Sequence, residues 1–400
     1  MNTQTSTHLF AKRVENVPQS FIREILKVAG RPGIVSFAGG LPNPKFFPVK
    51  ELEECAGKVL KEHGMQALQY ASTEGYFPLR EYLCKRYYTR FGLNITPEQI
   101  LITNGSQQAL DLVSKLFIEP GDKLVLERPS YLGALQCFSV FQPNFKEVDL
   151  EDDGPNIGQL EAALKKYDVK LFYSIPNFQN PTGISYSKEK RRQLAQTMGN
   201  SDAILIEDDP YGEINFSGKN LPPVYSFIPE QTILLGSFSK IVAPGLRLGW
   251  MVAEPEIIRK ATVMKQASDL HSNNLTQYIL HEFISKYNLD EHIARIRSQY
   301  KFQSEVMVDC LKTCFSPSVK FTLPQGGMFT WLTLPAGITA RQLLQESLKE
   351  NIIFVPGDCF YASNPNTQTL RLNFSNVEEG AMRKAMKKLG EILSGLVDMR

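Results

Sequence analysis

No run of about 18 apolar residues occurs in this chain, so a helical membrane span is not expected. The opening stretch MNTQTSTHLFAKRVENVPQ lacks the apolar centre of a secretory signal. Charge of one sign is missing too: 44 Lys and Arg face 42 Asp and Glu, for a net +2. That balance gives no reason to expect a nucleic-acid or membrane-surface partner. The six cysteines (Cys55, Cys84, Cys137, Cys310, Cys314, Cys359) form no CxxC pair and no regular framework, which favours free thiols over a disulfide or metal site. The five histidines are scattered and no HExxH occurs, so no metal is expected. These gaps together describe a cytoplasmic protein.

What is present is an ordinary globular composition, 42% hydrophobic and 22% charged, in 400 residues. That length suggests two or more domains. From about residue 99, short apolar β-rich runs alternate with helical patterns: QILITNG, KLVLERP, FKEVDL, KLFYSIP, AILIEDD, TILLGSFS and LRLGWMVA. Apolar runs flanked by helices predict an α/β class, a mostly parallel sheet covered on both faces. After about residue 254 the pattern turns helical, with one long amphipathic stretch expected from Leu275 to Cys314. KFTLPQGGMFTWLTLP, IIFVPGDCF and TLRLNFS then predict a smaller α+β domain, closed by a last helix. The expected division is an N-terminal arm and connector at 1–48, a large domain at 49–295 and a small domain at 296–400.

In open α/β sheets ligands sit at the carboxyl ends of the strands, and several of these ends are polar. Asn104-Gly105-Ser106-Gln107 opens a helix, where free N–H groups and the dipole suit an anion, although for the tetrapeptide alone a plain turn with Ser106 as N-cap is the favoured reading. KLFYSIP runs into Asn180-Pro181-Thr182-Gly183, in isolation an ordinary turn. AILI runs straight into Glu207, Asp208 and Asp209, with Tyr211 close behind. GSFSKIVAPGLRLGW holds Lys240 between Ser237 and Arg247. An arginine there suits bidentate phosphate contact, and a partly desolvated lysine can attack a carbonyl.

An acidic strand end, 32 residues before a lysine that itself lies seven before an arginine, meets the needs of pyridoxal phosphate. That cofactor takes an amine for its carbonyl, a cradle for its phosphate and an acid for its ring nitrogen. The ordered set NPTG, EDDPY, SFSK, PGLRLGW and RLNFS closely resembles the class I/II aminotransferases of pyridoxal-phosphate fold type I. Within them the chain is most similar to the 2-aminoadipate and kynurenine aminotransferase group, over nearly its whole length.

The resemblance implies roles for individual residues. Lys240 would form the Schiff base with pyridoxal 5′-phosphate and Asp208 would pair with its ring N–H. Tyr211 and Asn180 would bond its phenolic oxygen, and Tyr131 would stack on the ring. Ser106, Gln107, Ser237 and Arg247 would hold the phosphate. Tyr70 would reach the phosphate of a neighbouring subunit, which implies a homodimer. Arg371, Asn180 and the backbone at Gly40 would clamp the substrate α-carboxylate, and Arg23 would meet a distal carboxylate. The implied reaction moves the amino group of an L-amino acid (2-aminoadipate, aromatic, branched-chain or glutamate) to a 2-oxo acid, expected to be 2-oxoglutarate. Two rivals share the cofactor residues: a pyridoxal-phosphate lyase of the C–S type, and a MocR-like regulator. The second is disfavoured because only about 30 residues precede the aminotransferase-like body, too few for a DNA-binding module.

Overall fold

The computed structural model describes residues 33–398, together with Phe10, Ala11 and Arg13. A short β1 (Val35–Ser36) precedes two helices, Val49–Ala67 and Phe77–Phe91. The chain then builds an eight-stranded sheet from β2 (Ile100–Thr103), β3 (Lys123–Arg128), β4 (Asn144–Glu151), β5 (Gly154–Pro155), β6 (Val169–Ser174), β7 (Ile204–Asp209), β8 (Thr232–Ser237) and β9 (Gly249–Val252). Their spatial order is β2-β9-β8-β7-β6-β3-β4-β5. Strands β4, β3, β6, β7 and β8 pair in parallel, while β9 runs antiparallel to both β8 and β2. All of β2 and β8 and the central residues of β3 and β7 are buried. This is why those strands read as continuous apolar runs: helices such as Ser106–Phe117, Lys188–Met198 and Pro255–Asp269 cover the faces.

A second sheet comprises β10 (Lys320–Phe321), β11 (Phe329–Thr333), β13 (Val355–Pro356) and β14 (Thr369–Asn373), in the order β10-β11-β14-β13, all antiparallel. Between β11 and β13 lies β12 (Ile352–Ile353), which pairs in parallel with β1 and so ties the first described segment to the C-terminal region. The helix Glu379–Asp398 closes the chain. No helix among the described residues is long and apolar enough to cross a membrane.

Two expectations need correction. The single amphipathic stretch from Leu275 to Cys314 is two helices, Asn274–Lys286 and Leu289–Cys314. Asn288 makes the break: its side chain accepts from the N–H groups of Asp290 and Glu291, capping the second helix. The run expected to be a strand from Leu246 begins only at Gly249. Pro244–Leu246 forms a 3-10 turn and Arg247 takes a left-handed backbone with φ 51°, so the residues before β9 turn instead of extending.

Candidate active site

The carboxyl ends of β2, β6, β7 and β8 lie along one edge of the sheet, and a cavity of about 400 Å³ opens there. A larger groove of about 720 Å³ lies between the helices Ile157–Lys166 and Lys188–Met198, lined by solvated side chains such as Glu161, Lys165 and Gln196. The chemistry gathers in the smaller one. It is lined by Gly40, Ser106, Gln107, Tyr131, Asn180, Asp208, Tyr211, Ser237, Lys240, Arg247 and Arg371, all singled out from the sequence. Tyr70 is not among them; it is 78% exposed and sits edge-on to the ring of His271. Arg23 lies outside the described residues.

Strand alternation separates the three acids that end β7. Glu207 is fully buried and accepts from the N–H groups of Val224 and Tyr225. Asp209 accepts from Asn177 Nδ2 and from the Gly212 N–H. Asp208, pointing the other way, faces the cavity. Its Oδ2 accepts from the Tyr173 hydroxyl at 2.8 Å, while its buried Oδ1 has no partner among the described residues. Burial pushes the Asp208 carboxyl up to about 7, against the Tyr173 hydrogen bond that favours the ionised form.

Lys240 follows β8, half-buried, and its Nζ donates to the Gly40 carbonyl at 2.8 Å. Burial, aided by the charges of Arg371 and Arg247, pushes its ammonium down to about 8. Arg371, on β14, is buried between the rings of Phe329 and Phe360, with its guanidinium 4.4 and 5.1 Å from their centroids. It donates to Asn180 Oδ1 and to the Ala38 carbonyl, both at 2.6 Å. Its Nε has no partner among the described residues, and burial lowers its pKa to about 10. Asn180 Nδ2 reaches the Tyr211 hydroxyl at 3.5 Å. Burial raises the phenols of Tyr211 and Tyr131, the latter to about 12, with Asp208 adding to both.

At the end of β2 the helix Ser106–Phe117 is capped by Gly105, not by Ser106 as the plain-turn reading had it. Gly105 has φ 80°, and a Cβ there would stand 3.0 Å from Arg247 Nη2. The guanidinium donates to the carbonyls of Asn104 and Pro244, so it is held beside the free N–H groups of this helix start. Gln107 Nε2 donates to the Gly133 carbonyl, and Ser237 Oγ accepts from the Ser239 N–H. Tyr173, Phe329 and Phe360 were not singled out from the sequence. A tyrosine ending an apolar strand beside AILIEDD was the available signal for the first.

Residues 43–389 match the family model for aminotransferases of class I and II. The chain is 40% identical to aromatic-amino-acid aminotransferase 1 of Thermococcus litoralis, over 96% of its own length and 94% of the relative's. It is likewise 40% identical to 2-aminoadipate transaminase of Thermus thermophilus, covering 97% of each. A crystal structure of Pyrococcus horikoshii kynurenine aminotransferase, in complex with PMP and with KYN and KYA as substrates and products, superposes with a TM-score of 0.94 at 39% identity, covering 98% of this chain and 99% of that one. The fold and family define a fold-type I pyridoxal-phosphate enzyme. The chain belongs to the class I and II aminotransferases, and its cofactor is pyridoxal 5′-phosphate.

Proposed function

We propose that the enzyme transfers the amino group of a broad set of L-amino acids, among them 2-aminoadipate and aromatic ones, to 2-oxoglutarate. The carrying observation is the set Arg371, Asn180 and Gly40 on one side of the cavity, with Lys240 bonded to Gly40 at its floor. An α-amino acid needs one cation for its carboxylate and one base within reach of Cα, and this arrangement offers both. The relatives with 2-aminoadipate and aromatic amino acids in their names support the donor range.

The residues fit the cofactor. The unpartnered Asp208 Oδ1 is a buried acceptor aimed into the cavity, suited to a pyridinium N–H. Gly105, with Arg247 against it, leaves the helix start open to a phosphate on Ser106, Gln107 and Ser237. Tyr211 and Asn180 would donate to the ring oxygen and Tyr131 would cover the ring. When bound, pyridoxal phosphate supplies a carbonyl for amine exchange and an electron sink for the charge left at Cα. This chain supplies the rest. Arg371 orients the carboxylate by a two-pronged contact, and its two rings keep water from the guanidinium. Lys240 Nζ, as a neutral amine, would take the Cα proton and, as the ammonium so formed, would give it back in the reverse half of the exchange. Asp208 keeps its partner nitrogen protonated throughout.

The domain division belongs to the same reading: a large unit at 49–295 and a smaller one from 1–48 and 296–400, with the helix Leu289–Cys314 crossing between them. A cytoplasmic homodimer with Tyr70 at the partner's phosphate completes it. The support is the exposure of Tyr70 with its exposed neighbours Met65 and Leu68, an apolar patch suited to a second subunit. Tyr70→Phe should then weaken cofactor retention while sedimentation still shows a dimer. A fully active monomer at assay concentration would refute the arrangement.

Arg23 is assigned to the distal carboxylate of dicarboxylic substrates. In a panel of amino donors followed by loss of the cofactor's visible absorbance, Arg23→Ala should lower kcat/KM for glutamate and 2-aminoadipate by about 10- to 100-fold. Leucine and phenylalanine should change little. Equal losses for both classes would remove the assignment, and no conversion of the cofactor by any amino acid alone would favour the lyase.

A further inference from the structure

Asp269 ends the helix Pro255–Asp269, where a negative side chain meets the negative end of the helix dipole. The next residue, Leu270, has φ 70° and ψ −62°, and the His271 N–H donates to the Asp269 carbonyl at 2.8 Å. This is the rare, strained form of the γ-turn, on a non-glycine residue. Local preference is thus violated twice at one point, which calls for a compensating use of the side chain.

Three side chains converge on that carboxylate. Lys265 Nζ donates to Oδ1 and Oδ2 at 2.9 and 3.0 Å, and Asn104 Nδ2 and Gln108 Nε2 each donate to Oδ2 at 2.6 Å. Lys265 is fully buried, and its Nζ also donates to Gln108 Oε1 at 2.8 Å. The same oxygen accepts from the Asn104 N–H, also at 2.8 Å. Burial lowers the ammonium's hold on its proton while the Asp269 pair opposes it. None of Asn104, Gln108, Lys265 and Asp269 lines the cavity. They grip both sides of Gly105, and the Asn104 carbonyl accepts from Arg247 Nη2 at 2.9 Å. One network therefore fixes both the helix start and the arginine beside it.

We propose that Lys265 and Asp269 are positioning residues for the cofactor's phosphate: they clamp Asn104 and Gln108, so that the N–H groups following Gly105 and the Arg247 guanidinium are set before the dianion arrives. The inference rests on the assignment of Ser106, Gln107 and Arg247 to the phosphate. A clamp of this kind raises affinity by removing the ordering that binding would otherwise require, without contacting the ligand.

The test compares two probes on the full chain stripped of cofactor: pyridoxal phosphate, and pyridoxal, which has no phosphate. Affinities are read from quenching of tryptophan fluorescence, with activity set aside. Asp269→Ala should weaken pyridoxal phosphate by about 10- to 100-fold, the effect of losing charge-assisted hydrogen bonds, and pyridoxal by less than about threefold. Asp269→Asn keeps the volume, guarding against failure to fold, and should show the same selective loss in smaller measure. The paired swap Lys265→Met with Asp269→Leu replaces the ion pair by apolar groups and should also lose the phosphate preference while melting as a folded protein. Equal weakening for both probes, or unchanged binding of pyridoxal phosphate, overturns the proposal. Arg247→Met is the control for the underlying assignment. If that variant loses no preference for the phosphorylated probe, the cradle itself is misplaced; if it does and the Asp269 variants do not, only the clamp fails.

Discussion

Lys240→Ala is expected to abolish amino transfer while the protein still retains cofactor through its phosphate contacts. Proton transfer by a positioned side chain alone contributes about 10²–10⁴-fold, and here the same nitrogen is also the covalent anchor. Borohydride reduction of the wild type, followed by peptide mapping, should place the pyridoxyl group on Lys240; its appearance on another lysine would refute the assignment. The depressed ammonium adds a pH signature. With its pKa at about 8, roughly a tenth of Lys240 is neutral at pH 7, against well under a thousandth for an ordinary lysine. The lowered value means the reactive amine gains population as pH rises. Attachment of cofactor to the stripped protein should therefore speed up about tenfold per pH unit below 8 and level off above it. A rate that keeps rising to pH 10 would mean the amine is not depressed.

Asp208→Asn should raise the barrier by about 3 kcal/mol, in the range of one lost preorganised charge contact in a dry site. Asp209→Asn should do far less, because Asp209 faces Asn177 and the Gly212 N–H and not the cavity. In the protein alone the Asp208 carboxyl titrates near 7 because burial disfavours its charge. A cationic N–H at the open Oδ1 would pull it down and keep it ionised. The measurement is kcat for the two variants side by side, and the reverse ranking would move the ring partner to Asp209.

The cavity was legible in the sequence because its residues sit at strand ends, where polar groups interrupt apolar runs. NPTG follows β6, while EDDPY and SFSK run off the ends of β7 and β8, and parallel pairing brings them to one edge. The choice of Asp208 among Glu207, Asp208 and Asp209 came from the resemblance, through its three-residue step to Tyr211, and the alternation of β7 gives it a physical reason. Phe329 and Phe360 carry no such signal. A buried phenylalanine reads as core whether it packs on leucine or on a guanidinium, and only the pairing of β11 with β14 sets Phe329 against Arg371. The Lys265–Asp269 clamp was hidden for another reason: an i,i+4 ion pair reads as an exposed helix face, while here the lysine is buried. The fold class was readable, but the break at Asn288 was not, since the apolar periodicity continues on both sides of a two-residue interruption.

The alternation at the end of β7 has a consequence for how this chain can drift. Asp208 pairs with Leu235 and its neighbours with Leu234 and Gly236, so a deletion of one residue within β7 would turn a different acid toward the cavity and an apolar face toward the wrong layer. Single-residue length changes are thus disfavoured within the strand whichever residue they remove. The exposed stretch at residues 217–220, a few positions on, carries no such phase, and a length change there costs only local turn bonds and the Arg90–Asn220 contact. Single-residue insertions and deletions should accordingly be found in the exposed stretch and not in β7, where the spacing of the acids is held.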